Sequence, residues 1–395
     1  MSSVSKIKNL VDIPAFVLDL FRPSNKKLKV VLIFVDGFGY AQWKEWQNKL
    51  PLLKIISTKK LVRPIRTVFP STTTAALTTL QTGLAPVRHG FFEWYLYIKE
   101  IDETIFSLPF SPLKKPGRNL LLKRGVSRDV ILPIRDSQNT IYKKLKRKSV
   151  PSFYFNHKNY VKSAYSSRVF NGAIPSPFEN MKELFKKLRK TLNNTKGPAY
   201  FYVYWDKIDE TLHRYGSKSE ISRNAIKDFF TRLQKFIEKE KSAEILFLIT
   251  SDHGHIDVNP EKTLYLNKYR WLTDNFEIGP KGRPILPSGS PRDIFLHIKL
   301  ERVREVKARL SELFGRKADV YLTGDLINKG IFGKKKPSKR FLERAGNVLI
   351  IPRKNYLIWY EHVHGVKFDL KGHHGGFSDK EMIIPFAVFR SSQIK

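Results

Sequence analysis

The sequence predicts an α/β fold: a mostly parallel sheet sandwiched between helices. Three observations lead there. The continuous apolar runs Val30 to Val35, Tyr200 to Tyr204 and Ile245 to Ile249 have the length of strands and stop at polar residues, as strands buried on both faces do. Helix-like segments alternate with them, at Thr73 to Gln81, Met181 to Leu192 and Ser222 to Lys239. The chain has 395 residues, more than one core usually fills, so an insertion or second domain is expected.

Taken in order, residues 1–28 form a lead-in. Its apolar residues Ile7, Leu10, Val11, Phe16, Val17 and Leu20 suit an amphipathic helix packed on the core. Asp12, Pro14 and Asp19 interrupt them and no small-residue cleavage site follows, so the stretch does not read as a signal peptide. Residues 29–258 are the first part of the core. Within it Lys99 to Lys148 is basic, carries prolines and has no clear period, which reads as loops over the sheet. Residues 259–361 read as an inserted α+β cap, with strands at Asp293 to Lys299 and Val348 to Pro352 and a helix at Glu301 to Phe314. Residues 362–395 return to the core through a glycine-rich loop and a strand, Met382 to Phe389.

Composition narrows the function. Hydrophobic residues at 41% and aromatics at 13% exclude a disordered chain. Lys and Arg outnumber Asp and Glu by 72 to 36, a net charge of +36 that concentrates anions near the surface. The basic residues come in scattered groups such as Lys26-Lys27, Lys143-Lys144 and Lys334 to Lys336, which is the pattern of a solvated surface; nucleic acid and anionic membrane are the partners such a charge would also suit. With no cysteine there are no disulfides and no thiolate metal sites, so any metal must be held by His and carboxylates. No run of eighteen apolar residues is present, so no transmembrane segment is expected, and the location is expected to be cytoplasmic. Nothing in the sequence bears on the oligomeric state.

The chemistry-bearing residues follow predicted strands or open helices, and α/β sheets bind ligands at the carboxyl ends of their strands. Asp36 follows the first strand in VVLIFVDGFG, where Gly37 and Gly39 allow a close turn. The string FPSTTTAALTTLQTG sets hydroxyls at a helix start near Thr73. Such hydroxyls ordinarily cap the helix, but its N-terminus also attracts phosphate, and a metal-activated threonine there would be a nucleophile. In YWDKIDETLHRYG, Asp209 and His213 stand four apart, on one helix face, with Asp206 as a spare candidate. ILFLITSDHGH ends a strand in Asp252 and His253, and His255 either binds or orients. KGHHGGFSDKEM holds His373 and His374 between glycines. Each segment alone has an ordinary reading as a turn, cap or surface pair. Together they supply donors for two divalent ions.

The order VDGFG, FPSTTTAALTTLQTGLAPVRHG, DKIDETLHRYG, SDHGH, GHHGG, running from about Lys29 to Phe389, resembles the type I phosphodiesterase and nucleotide pyrophosphatase branch of the alkaline phosphatase superfamily. The resemblance implies that Thr73 is the nucleophile, bound with Asp36, Asp252 and His253 to one metal, and that Asp209, His213 and His374 hold the second. His374 is preferred to His373 because it directly precedes the two glycines. Two divalent ions are implied, zinc first and manganese second. The implied reaction is hydrolysis of phosphodiester or nucleotide pyrophosphate bonds through a phospho-threonine, on an anionic phosphate ester that includes nucleotides and nucleic acid. Two alternatives stay open: a phosphomonoesterase or phosphotransferase of the same superfamily, and a basic nucleic-acid-binding protein with a silent site.

Overall fold

The computed structural model describes residues 4–240 and 242–394; Met1 to Ser3 of the lead-in lie outside the described residues. At the centre is strand β1, Lys29–Val35, buried from Val30 onward. The other strands of its seven-stranded sheet are β2 (Val62–Arg66), β3 (Ser152–His157), β4 (Ile174–Phe178), β5 (Ala199–Trp205), β6 (Ile245–Thr250) and β7 (Ile383–Arg390). They lie in the order β2-β7-β6-β1-β5-β3-β4. β1 pairs in parallel with β5 and β6, and β3 with β4 and β5, while β7 runs antiparallel to both β6 and β2. The mostly parallel sheet is therefore as predicted, and its antiparallel strand is the returning C-terminal segment.

Alternating residues of the central strands feed two apolar layers. Val30, Leu32 and Phe34 join Tyr200, Tyr202 and Tyr204 beneath the helices Ile13–Leu20, Thr73–Thr82 and Ile141–Arg147. Val31, Ile33 and Val35 join Phe201, Val203 and Trp205 beneath Met181–Asn194 and Glu220–Lys239. Burial on both faces is the reason these strands read as unbroken apolar runs. The lead-in forms a short 3-10 turn, Leu10–Asp12, then the helix Ile13–Leu20 with Pro14 in its first turn, where no amide partner is needed. Leu10, Ile13, Phe16 and Val17 are buried, so this segment packs on the core as expected. Among the described residues no helix is long and apolar enough to cross a membrane.

A second seven-stranded sheet, antiparallel throughout, builds the cap: Ala318–Leu322, Val348–Pro352, Asp293–Leu296, Ser288–Ser290, Tyr95–Ile98, Glu103–Phe106 and Ser111–Pro112 in spatial order. Its helix Val303–Phe314 buries Val306, Leu310 and Phe314 with Val348 and Ile350. The predicted strand at Asp293 to Lys299 ends early, at Leu296.

The larger correction concerns Lys99 to Lys148. Two cap strands and the helix Ile141–Arg147 lie in this stretch expected as loops. Strands of two to four residues are too short to display a period of two. Their link to the cap also runs through Tyr95 to Gly289, a pairing that no local pattern announces. The cap sheet thus takes strands from sequence positions both before and after the core strands β3 to β6.

Candidate metal centre

Strands β6, β1 and β5 are parallel neighbours, so the residues after them arrive at one edge. Register pairs Phe34 with Thr250 and Val35 with Trp205, which carries Asp36 to the level of Asp252. The two turns touch backbone to backbone: a Cβ on Gly39 would lie 2.4 Å from Gly254 Cα. Gly37 N–H also donates to Asp252 Oδ1 at 3.0 Å, closing the turn.

Asp36, Asp252 and His253 are buried there as one donor set. His253 Nε2 lies 3.5 Å from Asp36 Oδ1 and 3.4 Å from Asp252 Oδ2. Those two carboxylate oxygens, both buried, have no hydrogen-bond partner among the described residues. Burial first, and then the charge of Asp252, push the Asp36 carboxyl well above the usual range. Two buried carboxylates side by side are costly to keep ionised unless a cation lies between them. The Tyr204 hydroxyl, which the sequence did not single out, donates to the other oxygen of Asp36.

Asp209 and His213 stand one turn apart on the helix Lys207–Tyr215, as predicted from their spacing. His374 comes from the glycine-rich loop, and its Nε2 faces His213 Nε2 at 3.1 Å. His213 Nδ1–H donates to the Gly372 carbonyl at 2.8 Å, and His374 Nδ1–H to that of Ser71 at 2.9 Å. Each Nε2 therefore carries its lone pair, and two lone pairs at that separation repel unless a cation sits between them. His253 is pinned alike, its Nδ1 3.2 Å from the Gly254 carbonyl. Desolvation lowers His213 to about 4 and also lowers His253 and His374, which keeps the three rings neutral at neutral pH, each with a lone pair available. Orphaned carboxylate oxygens and opposed imidazole lone pairs both fit bound metal ions.

The hydroxyl cluster sorts itself by contact. Thr72 is the N-cap: its Oγ1 accepts from Ala75 N at 3.3 Å and donates to the Phe92 carbonyl at 2.6 Å. Thr74 Oγ1 turns to Ser107 Oγ at 3.3 Å. Thr73 Oγ1 instead reaches His253 Nε2 at 3.1 Å. All seven predicted site residues thus meet at one edge.

Of the spare candidates, Asp206 turns to Tyr160 in the pocket wall. His373 lines the pocket but belongs to neither donor set. His255 joins the second set, whose four candidate donor atoms lie within 4.8 Å of one another. Also unannounced by the sequence is the brace of the His374 loop. Arg292 forms a two-pronged ion pair with Glu381 at 3.0 and 3.1 Å, and Glu381 accepts from Gly376 N at 3.0 Å. Above both sets lies a cavity of about 710 Å³, with Tyr95, Tyr160, Trp359 and Phe368 among its aromatic walls and Arg118, Arg214 and Lys367 as its basic ones.

Solved structures of other proteins share this fold. Human ectonucleotide pyrophosphatase/phosphodiesterase 5 superposes with a TM-score of 0.64 at 19% identity, covering 92% of this chain and 88% of that one. A murine counterpart described as inactive, with a threonine-to-alanine exchange and AMP bound, gives 0.62 at 17%, covering 91% and 88%. Phosphonoacetate hydrolase from Sinorhizobium meliloti 1021 gives 0.62 at 15%, covering 92% and 90%. Within this fold the chain belongs to the type I phosphodiesterase / nucleotide pyrophosphatase family, whose model matches residues 30–377. Curated relatives include venom phosphodiesterase CdcPDE of Crotalus durissus collilineatus, 24% identical over 304 residues, which are 75% of this chain and 34% of that protein. Ectonucleotide pyrophosphatase/phosphodiesterase family member 3 of Rattus norvegicus is 24% identical over 324 residues, 77% of this chain and 33% of that protein. The chain spans about a third of the length of these curated relatives.

Proposed function

We propose that the protein is a metal-dependent phosphodiesterase acting on nucleotide-type diesters or pyrophosphates, with Thr73 as its nucleophile. The observation that carries this reading is the Thr73 hydroxyl 3.1 Å from His253 Nε2, at the edge where two Asp/His donor sets meet. Asp36, Asp252 and His253, with Thr73, would hold one divalent ion, and Asp209, His213 and His374 the other. Bound there, such ions would stabilise charge on the attacking and leaving oxygens.

Thr73 Oγ1, giving up its proton, attacks phosphorus as the bond to the leaving oxygen breaks and that oxygen takes up a proton; water then hydrolyses the phospho-threonine, which releases the phosphate product and restores the hydroxyl. The start of the Thr73–Thr82 helix favours the negative charge of the phosphoryl group. Tyr95, Tyr160 and Trp359 offer flat surfaces to an aromatic leaving group, and Arg118, Arg214 and Lys367 offer charge to further phosphates. The names of the curated relatives and the inactive, AMP-holding murine variant support the diester, nucleotide and threonine parts of the reading.

The test is cleavage of bis-p-nitrophenyl phosphate against p-nitrophenyl phosphate by metal-stripped protein with zinc or manganese restored. Metal-dependent diester cleavage that outpaces monoester cleavage is expected; the reverse order would move the protein to the phosphomonoesterase alternative. Thr73→Ala is expected to lower turnover at least about a thousandfold with the circular dichroism spectrum unchanged. Preserved turnover in that variant would rule out Thr73 as nucleophile.

A further inference from the structure

His255 differs from its neighbours in how its protons are arranged. In His213, His253 and His374 the Nδ1 side meets a backbone carbonyl, at 2.8, 3.2 and 2.9 Å, which frees each Nε2 as a donor to metal. In His255 the pattern is reversed. Its Nδ1 is buried without a hydrogen-bond partner among the described residues, and its Nε2 lies 2.7 Å from Asp209 Oδ1. A proton on Nδ1 would have no acceptor, so it belongs on Nε2, where the carboxylate takes it.

Distances favour the same assignment. Neighbouring ligands of a tetrahedral ion with bonds of about 2.0–2.1 Å stand roughly 3.3 Å apart. His213 and His374 Nε2, at 3.1 Å, and His213 Nε2 and Asp209 Oδ2, at 3.5 Å, are spaced as such neighbours. The 2.7 Å between His255 and Asp209 is instead the length of a hydrogen bond to a carboxylate. The ring is also clamped in place. A Cβ on Gly37 would lie 3.0 Å from its Cδ2 and one on Gly372 3.1 Å from its Nδ1, while Gln42 Nε2 donates to the His255 carbonyl at 3.0 Å.

We infer that His255 is a positioning residue: its Nε2–H holds Oδ1 of Asp209 and leaves Oδ2 as that residue's single donor to the second ion. This rests on the two-ion reading above and adds to it. With His255 outside the ligand set, the second site has three protein donors, and a position stays open for a substrate oxygen or water.

The experiment titrates zinc into metal-stripped wild type, His255→Leu and His255→Gln against a competing chelator, and records the visible spectrum of each protein loaded with cobalt(II). Wild type is expected to bind two ions. His255→Leu is expected to lose about 10- to 100-fold in affinity at one site with the other unchanged. His255→Gln, whose side-chain amide also donates, is expected to regain most of that loss and to keep the wild-type cobalt spectrum. Two tight sites in His255→Leu would overturn the inference. So would a His255→Gln protein with the leucine variant's loss and an altered cobalt spectrum, because the ring nitrogen would then be a ligand. If the leucine variant does not fold, the glutamine spectrum decides alone. Wild type binding fewer than two ions would overturn the two-ion reading itself, an outcome distinct from the others.

Discussion

Thr72, Thr73 and Thr74 share one chemistry and differ in what faces them. The first caps a helix, the third meets Ser107, and only the middle hydroxyl among these three turns to the donor sets. The sequence offered this hydroxyl cluster as a candidate nucleophile at a helix start, and the family resemblance pointed to Thr73 within it. The contacts that separate the three threonines are tertiary. His89 makes the same point for stability. Its Nε2 lies 3.1 Å from Thr79 Oγ1 and its Nδ1 accepts from Phe91 N at 3.1 Å, so the neutral ring is satisfied on both sides. Burial, and then the nearby Arg344 charge, lower it from 6.5 to about 3. Between those two values the unfolded chain holds a proton that the folded chain does not. Stability contributed by the neutral ring is therefore intact above 6.5 and lost as pH falls toward 3, at up to about 1.4 kcal/mol per pH unit. Urea midpoints at about pH 7 and about pH 5 check this: the wild-type drop should exceed that of His89→Gln. Equal drops would mean that His89 is not the group responsible.

At the scale of elements, the site depends on loops held by partners distant in sequence. The strand-end turns of Asp36 and Asp252 were readable because each follows an apolar run in a predictable position. The brace on the His374 loop was not, since Arg292 and Glu381 lie 89 residues apart and neither carries a motif. Both side chains are buried, so removing one strands the other charge. Arg292→Met is expected to cost about 3–5 kcal/mol in chemical denaturation and to weaken zinc binding, with Arg292→Met/Glu381→Leu recovering much of the stability. A single variant as stable as wild type would show that the pair does not hold the loop. The cap strands from 95 to 112 were hidden for a related reason: they are short, and their pairing is completed only by Ser288–Ser290 across the fold.

For the whole molecule, the +36 charge and the basic walls of the pocket act on anions in the same direction. Long-range attraction governs encounter more than the chemical step, and salt screens it. Under the proposed activity, kcat/KM for an anionic diester should fall between low and near-molar salt while kcat changes less. A flat kcat/KM would assign the charge to the solvated surface alone. The α/β class and the central strands could be read in the chain because burial on both faces leaves an unbroken apolar run, a local signal that survives without its partners. The candidate metal donors could be listed for the same reason, each sitting in a short string at a strand or helix end. Only the folded chain decided which oxygens were left unpaired, which ring nitrogen of His213, His253 and His374 meets a backbone carbonyl, that His255 faces Asp209, and that the cap sheet draws on residues 95–112. Those properties depend on distances of about 3 Å between segments far apart in sequence, where hydrogen bonding and charge act through space.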